Sequence, residues 1–324
     1  MRKLIVLVIV VAALWGGYWA MAARGVNRAL DAGTAALQAQ GWTLDYSKRA
    51  LNGFPSRLDT SFSDLRLAPP SKAVTWQAPF FQVLTLSYKP NHLIAVWPQR
   101  QQLQTYAGTY DLATSDMRAS AVFQPDTSLA LDHGNAVIKQ PVLTLPRGQS
   151  LSAQEVRLAI RQIGGDPTRH EAALELDGFD IPVMWLQQAG FGAEAPTVLT
   201  LLRINSELTF DRPLDRTGVE TGTPAVQSWT LKSLQLTWAD MTLNLTGTLT
   251  PDASGALSGE ATLRATHWRK LLGLWPMTEE QRARLMLALG ALSPDGTTLE
   301  LPVRMAQGQV LVAGLPVGPA PRLP

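Results

Sequence analysis

Residues 241 to 263 read MTLNLTGTLTPDASGALSGEATL. Leu243, Leu245 and Leu249 share one parity, and Thr242, Asn244, Thr246, Thr248 and Thr250 hold the other. Beyond the turn signal Pro251-Asp252-Ala253-Ser254-Gly255 the alternation resumes, with Leu257, Ala261 and Leu263 opposed to Ser258, Glu260, Thr262 and Arg264. A period of two sends successive side chains to opposite faces of a strand, so the segment predicts a β-hairpin with one oily face and one hydroxyl face.

The same period runs through most of the chain after Trp42. It predicts strands over 58–67, 81–88, 93–97, 117–123, 129–133, 142–145, 155–161, 172–176, 202–210, 229–238, 241–250, 257–265, 299–305 and 309–312, punctuated by Pro and Gly as in antiparallel meanders. Short helices are expected at 182–188, where Pro182 suits a first turn, at 266–274, and at 278–291, where Thr278 and Gln281 form a capping-box pattern. The Pro-rich tail 316–324 is expected to lie on the surface without regular structure. The class is therefore mainly β (α+β): an N-terminal transmembrane helix, then antiparallel β-meander sheets, curved or sandwich-like, with a few short packing helices.

Met1-Arg2-Lys3 precedes twenty residues, Leu4 to Ala23, without a charge. At ~1.5 Å per residue they reach about the 30 Å of a bilayer's hydrocarbon. Trp15, Tyr18 and Trp19 fall near the far end, where amphipathic rings favour the membrane interface, and Arg2 and Lys3 favour a cytoplasmic amino terminus. A signal peptide cleaved after Ala22 is the alternative, and both readings export the rest of the chain. Val26, Leu30 and Leu37 continue a helical spacing as far as Gly41. The organisation expected is an anchor and stalk over 1–41 (or a signal peptide over 1–22), a β-rich half over 42–165 and a second over 166–324. Gly164-Gly165-Asp166-Pro167 marks the boundary, unless the two halves form one continuous domain. The location expected is the inner membrane, single-pass with a periplasmic domain, or the periplasm itself after cleavage.

Charged residues are only 17% of the 324 and the net charge is +2, with no concentrated basic face of the kind nucleic acid requires. Cysteine is absent, which removes disulfides, thiolate metal sites and a catalytic thiol. The four histidines, His92, His133, His170 and His267, lack ligand spacing, so neither a metal nor a cofactor is expected. Ser258 in Gly255-Ala256-Leu257-Ser258-Gly259 is misplaced for a nucleophile elbow, and Gly190-Phe191-Gly192 is no dinucleotide loop. Glu175, Asp177 and Asp180 read as a solvated cluster by a turn. Trp97, Trp185, Trp268 and Trp275 stand at element ends, where core packing is the ordinary role and a lipid boundary the alternative. No enzyme is expected.

Several stretches together resemble one bacterial family, the "domain of unknown function 2125" proteins. They are Gly53-Phe54-Pro55-Ser56-Arg57, Trp76-Gln77-Ala78-Pro79, Ser87-Tyr88-Lys89-Pro90-Asn91-His92, Ile94-Ala95-Val96-Trp97-Pro98 and Thr209-Phe210-Asp211-Arg212-Pro213-Leu214-Asp215. The 247–259 hairpin with His267-Trp268-Arg269 and the closing Gly314-Leu315-Pro316-Val317-Gly318-Pro319-Ala320-Pro321 complete the set. The resemblance implies a membrane-anchored, mostly β envelope protein and supplies no catalytic residues. The hairpin followed by Leu-rich helices is also similar in style to AsmA-type proteins, whose curved sheets hold acyl chains. Only Trp275-Pro276-Met277 separates the last two helices, so a compact pair is expected.

Two functions follow. In one, Leu243, Leu245, Leu249, Leu257 and Leu263 line a groove for a phospholipid or another envelope lipid, each buried CH₂ contributing about 0.8 kcal/mol. In the other, the same face closes an ordinary core and the chain is an anchored scaffold or chaperone-like interaction module.

Overall fold

The hairpin expected at 241–263 is present in the structure, a computed structural model that describes the chain except for residues 219–221, 223, 253–254, 275–276 and 323–324. The tip of that hairpin's turn, and Trp275 with Pro276 between the last two helices, lie outside the described residues. The described chain divides into two units. One comprises Met1–Pro125 with Ala136–Ser150, and the other Asp126–Asn135 with Leu151–Pro324.

The first unit begins with α1 (Arg2–Ala39), followed by β1 (Thr43–Asp45), β2 (Lys48–Asn52), β3 (Asp59–Ala68), β4 (Val74–Leu86), β5 (Lys89–Val96), β6 (Arg100–Thr105), β7 (Gly108–Ala113) and β8 (Asp116–Phe123). Then come β9 (Leu131–Lys139), whose residues are shared between the units, and β10 (Val142–Thr144). β3 is flanked by β1 and β2 on one side and by β4 on the other. β4 then forks: residues Val74 to Gln77 pair with β6, and Gln82 to Leu86 pair with β5. Between the two branches lies Pro79, which has no N–H to give a ladder. Trp76, Phe81 and Trp97 pack at the fork, with ring centroids 5.7 and 5.2 Å apart. β6 and β7 were not anticipated, because Arg100-Gln101-Gln102-Leu103-Gln104-Thr105 has almost no apolar alternation to read.

The second unit is a meander. After β11 (Ser150–Ser152) come β12 (Glu155–Ile163), β13 (Asp166–Asp180), α2 (Val183–Gln188), β14 (Val198–Phe210), β15 (Val226–Trp238), β16 (Met241–Pro251) and β17 (Leu257–Thr266). α3 (Trp268–Leu274), α4 (Glu279–Gly290), β18 (Thr298–Ala306), β19 (Gln309–Val312) and β20 (Leu315–Pro319) complete it. From β12 onward each strand pairs antiparallel with the next. At the stretch Gly164–Pro167, where the sequence suggests a boundary, Gly164 and Gly165 have φ of 62° and 76° and close a two-residue hairpin between β12 and β13. Positive φ at both central positions matches the twist of the strands it joins, so these glycines turn the chain back into the same sheet. Gln307-Gly308 and Ala313-Gly314 do the same for β18–β19 and β19–β20.

The three short helices occur where the sequence predicts them. At α4 the capping box is complete: Thr278 Oγ1 accepts from the Gln281 N–H at 3.2 Å, and Gln281 Oε1 accepts from the Thr278 N–H at 3.0 Å. The Pro-rich tail departs from expectation, for Leu315–Pro319 is a strand. Among the described residues its strand partner is β19, and an edge strand tolerates prolines because one side of its backbone needs no ladder partner.

His170 is the largest polar side chain in the second unit's interior, fully buried with its ring 5.8 Å from that of Phe210. Its Nε2 lies 3.3 Å from the Leu131 carbonyl oxygen, and its Nδ1 has no partner among the described residues. Burial lowers the imidazole pKa, against smaller opposing effects of the Leu131 carbonyl and Asp166. The unfolded chain, titrating near an ordinary ~6.5, binds a proton that the folded chain resists, so this contribution is complete above that pH and is lost on acidification. Denaturant unfolding at pH 7 and pH 5 is expected to show lower stability at pH 5. His170→Asn should flatten that difference, and an unchanged slope in the variant would contradict the assignment.

Candidate functional site

Strand parity in the second unit converges on one feature. Leu158 of β12 lies opposite Leu174 of β13, which lies opposite Ile204 of β14. Ile204 faces Leu234 of β15, Leu234 faces Leu245 of β16, Leu245 faces Leu263 of β17, and Leu263 faces Leu301 of β18. A second row runs beside it through Val156, Leu176, Leu202, Leu236, Leu243, Ala265 and Leu299. Adjacent strands lie ~4.8 Å apart, so Leu158 to Leu263 makes an apolar row about 24 Å long, perpendicular to the strands.

Both ends of this face are closed by packing. Leu249, Leu257 and Met305 form a buried cluster with Trp229 and Val310 against it. Toward the helices, Leu186 of α2 packs with Trp238 and Met241, and Trp268 of α3 packs with Ala265, Leu299 and Leu301, supported by Met286 and Leu289 of α4. Between these closures Leu174, Ile204, Leu234, Leu245 and Leu263 are only partly buried, and Leu158 is 42% exposed. The residues singled out from sequence therefore separate. Leu245 and Leu263 lie in the accessible row, and Leu243 is partly buried beside the helix cluster. Leu249 and Leu257, at 2% and 1% exposed, are enclosed. Leu174, Ile204 and Leu234 were not singled out, since their alignment depends on register across hairpins rather than on parity within one strand.

Gly247 lets β16 and β17 approach closely at the middle of this face. A Cβ there would overlap the Glu260 carbonyl oxygen and the Ala261 side chain, and one at Gly259 (φ 146°) would overlap the Thr248 carbonyl oxygen. Glycines at such points permit a sheet to bend.

The opposite face is charged and paired. Arg157 Nη1 and Arg203 Nε donate to Glu175 at 2.9 and 2.6 Å, a ladder across three strands. Glu171 accepts from Arg161 and Lys232, and Lys232 also reaches Glu207 at 2.5 Å. These hydrogen bonds, Arg161 first, hold the Glu171 carboxyl below the usual range, while Glu207 and Glu171 raise the Lys232 ammonium. Asp180 accepts from Ser152 Oγ at 2.6 Å. Glu175, Asp177 and Asp180 thus belong to β13 rather than to a turn, because the alternation extends beyond the predicted strand end.

The remaining histidines are dispersed. His92 Nε2 meets Ser120 Oγ at 2.8 Å, His133 Nδ1 meets Asp132 at 2.6 Å, and His267 Nδ1 meets the Asp240 carbonyl oxygen at 2.8 Å. Among the described residues no group of His, Asp and Glu could hold a metal ion. Trp97 packs on Phe81, Trp268 is buried with its Nε1 donating to Ser293 Oγ at 3.2 Å, and Trp185 is 40% exposed on α2. In the first unit a cleft of about 810 Å³ opens at the β4 fork, with Arg66, Arg100, Asp64 and Asp111 on its walls. Gln102 Nε2 donates to Asp111 there at 2.8 Å, and Asp64 accepts from Ser47 Oγ at 2.6 Å, so neither carboxylate is without a partner.

At the amino terminus, α1 is by length and composition long and apolar enough to cross a membrane. Trp15 Nε1 donates to the Pro55 carbonyl at 2.9 Å, Tyr18 Oη to the Ser87 carbonyl at 2.5 Å and Trp19 Nε1 to the Arg57 carbonyl at 2.7 Å. The residues expected at a membrane interface are therefore also those that fasten α1 to the first unit.

No curated protein matches the chain. The family model described as an uncharacterized protein conserved in bacteria, DUF2125, matches residues 19–321, nearly its whole length. The chain belongs to the DUF2125 family.

Proposed function

We propose that this is a membrane-anchored, non-enzymatic envelope protein whose second unit holds a lipid acyl chain along the row from Leu158 to Leu263. The observation that carries the reading is the row itself: leucine or isoleucine at every registered position across the meander, partly exposed between two closed clusters. A monolayer's share of a ~30 Å hydrocarbon core is about 15 Å, so a row of about 24 Å is long enough for one acyl chain. Burying ten methylenes contributes roughly 8 kcal/mol before the cost of ordering the chain. The pairing of Glu171, Glu175 and Asp180 supports a binding role over catalysis, because a general base at neutral pH needs a raised carboxyl pKa and Glu171 is held low.

An anchor is favoured over a cleaved signal by the fastening of α1. Cleavage after Ala22 would remove the three aromatic hydrogen bonds to the first unit. The basic pair Arg2 and Lys3 favours a cytoplasmic amino terminus and an exported domain. Intact-mass measurement of the protein from its native membrane should retain the amino-terminal helix, and a chain beginning at Ala23 would contradict the anchor. Protease added to spheroplasts should digest the domain; protection would contradict the orientation.

Lipid binding is tested by extraction and by charge placement. Protein purified in a mild detergent should retain phospholipid detectable by mass spectrometry. Leu245→Asp and Leu263→Asp should stay folded, with a modest fall in melting temperature, and lose the lipid. Leu249→Asp should unfold the protein, since an unpaired charge in a closed cluster costs more than ~3 kcal/mol. Thr246→Asp and Thr262→Asp, on the polar face, should change stability by less than about 0.5 kcal/mol. Lipid-free wild-type protein with collapse of both row variants would mean a closed core, and would leave the anchored scaffold.

A further inference from the structure

The helix that would cross the membrane is too short on its free side. Met1 to Leu14 is exposed along its length, with Leu4 to Val11 between 48% and 66% exposed. From Trp15 onward the helix is held: Trp15, Tyr18 and Trp19 hydrogen-bond to unit carbonyls, Ala23 is buried and Arg49 pairs with Asp31 at 2.7 Å. The free uncharged stretch, Leu4 to Leu14, is about 16 Å long, against a hydrocarbon thickness of ~30 Å. Tilting the helix only widens the deficit. The uncharged run continues to Ala23, before Arg24, and that is where the missing length lies.

Resting on the anchored reading above, we infer that the end of the first unit beside Trp15 and Trp19 is immersed in the outer leaflet of the same bilayer. Phe54 and Tyr88 are its inserted side chains. Phe54 is 61% exposed although its ring sits 5.4 Å from that of Trp19 and against Gly16, and Tyr88, next to the Ser87 that receives Tyr18, is 55% exposed. Both are large aromatic side chains facing solvent at the level where the helix should still be in lipid. The carbonyls of Pro55, Arg57 and Ser87 take the polar hydrogens of the three α1 aromatics, so immersion strands none of those donors in hydrocarbon. The far end of the unit is marked by Gly41, which packs against Pro70, about 36 Å of helix beyond Trp15. Tyr106, 87% exposed with its hydroxyl 3.5 Å from the Ser71 carbonyl, belongs to that end, which stays in water.

The chain has no cysteine, so single thiols can be placed and labelled without background. Full-length Phe54→Cys, Tyr88→Cys, Tyr106→Cys and Val8→Cys, each carrying an NBD fluorophore, would be reconstituted in phosphatidylethanolamine–phosphatidylglycerol vesicles. The labels at 54 and 88 are expected to emit blue-shifted relative to 106, to be quenched by lipids with a nitroxide near the headgroup, and to resist aqueous iodide. The label at 8 should respond to deep nitroxides, and the label at 106 to iodide alone. Tyr88→Cys keeps the test independent of any disturbance caused by removing the Phe54 ring. Labels at 54 and 88 that behave like 106, with 8 still in lipid, would overturn the immersion and leave the anchor standing. A label at 8 that is itself in water would overturn the anchor and the immersion together.

Discussion

A single cross-strand register sustains the second unit. From β12 to β18 leucine or isoleucine meets its like at each crossing, and a slip of one residue at any hairpin would turn half of the row to the charged face. Tight turns enforce it where the chain allows no slack, as at Gly164-Gly165 and at Ala239-Asp240 between Trp238 and Met241. The charge ladder of Arg157, Glu175 and Arg203 repeats the same register on the other face, where each exposed pair adds little energy but penalises misalignment.

Closure of the face is uneven, and the chemistry of the side chains explains why. The helices supply Leu186, Trp268, Met286 and Leu289 to one end, and the indole of Trp229, tied to Ser206 Oγ at 2.7 Å, helps cover the other. Among the described residues, Leu234, Leu245 and Leu263 belong to none of these clusters. A meander with leucines partly exposed along its middle is costly to keep in water, and the acyl chain proposed above would offset that cost without needing a polar partner.

Much of this was legible in the residues. The parity of 241–263 gave the two faces, Thr278 with Gln281 gave the start of α4, and the uncharged run behind Arg2 and Lys3 gave the long helix. Other parts were hidden for physical reasons. β15 changes parity at Lys232-Ser233, where a bulge brings Trp229 and Leu231 onto the same face as Leu234 and Leu236, so periodicity alone would place them apart. Prolines disguised β20 and the first half of β4, and glutamines disguised β6. The row itself could not be read, because parity assigns a face within a strand while turns and bulges assign neighbours between strands.

The central claim is that lipid occupies the row, and photocrosslinking tests it most directly. Membranes containing the full-length protein would be supplied with phosphatidylethanolamine carrying a diazirine in its acyl chain, irradiated, and digested for peptide mapping. Adducts are predicted at Leu174, Leu234, Leu245 and Leu263, in addition to those any membrane helix collects between Leu4 and Leu14. Adducts confined to the amino-terminal helix, with the β13 to β17 peptides unmodified, would contradict it.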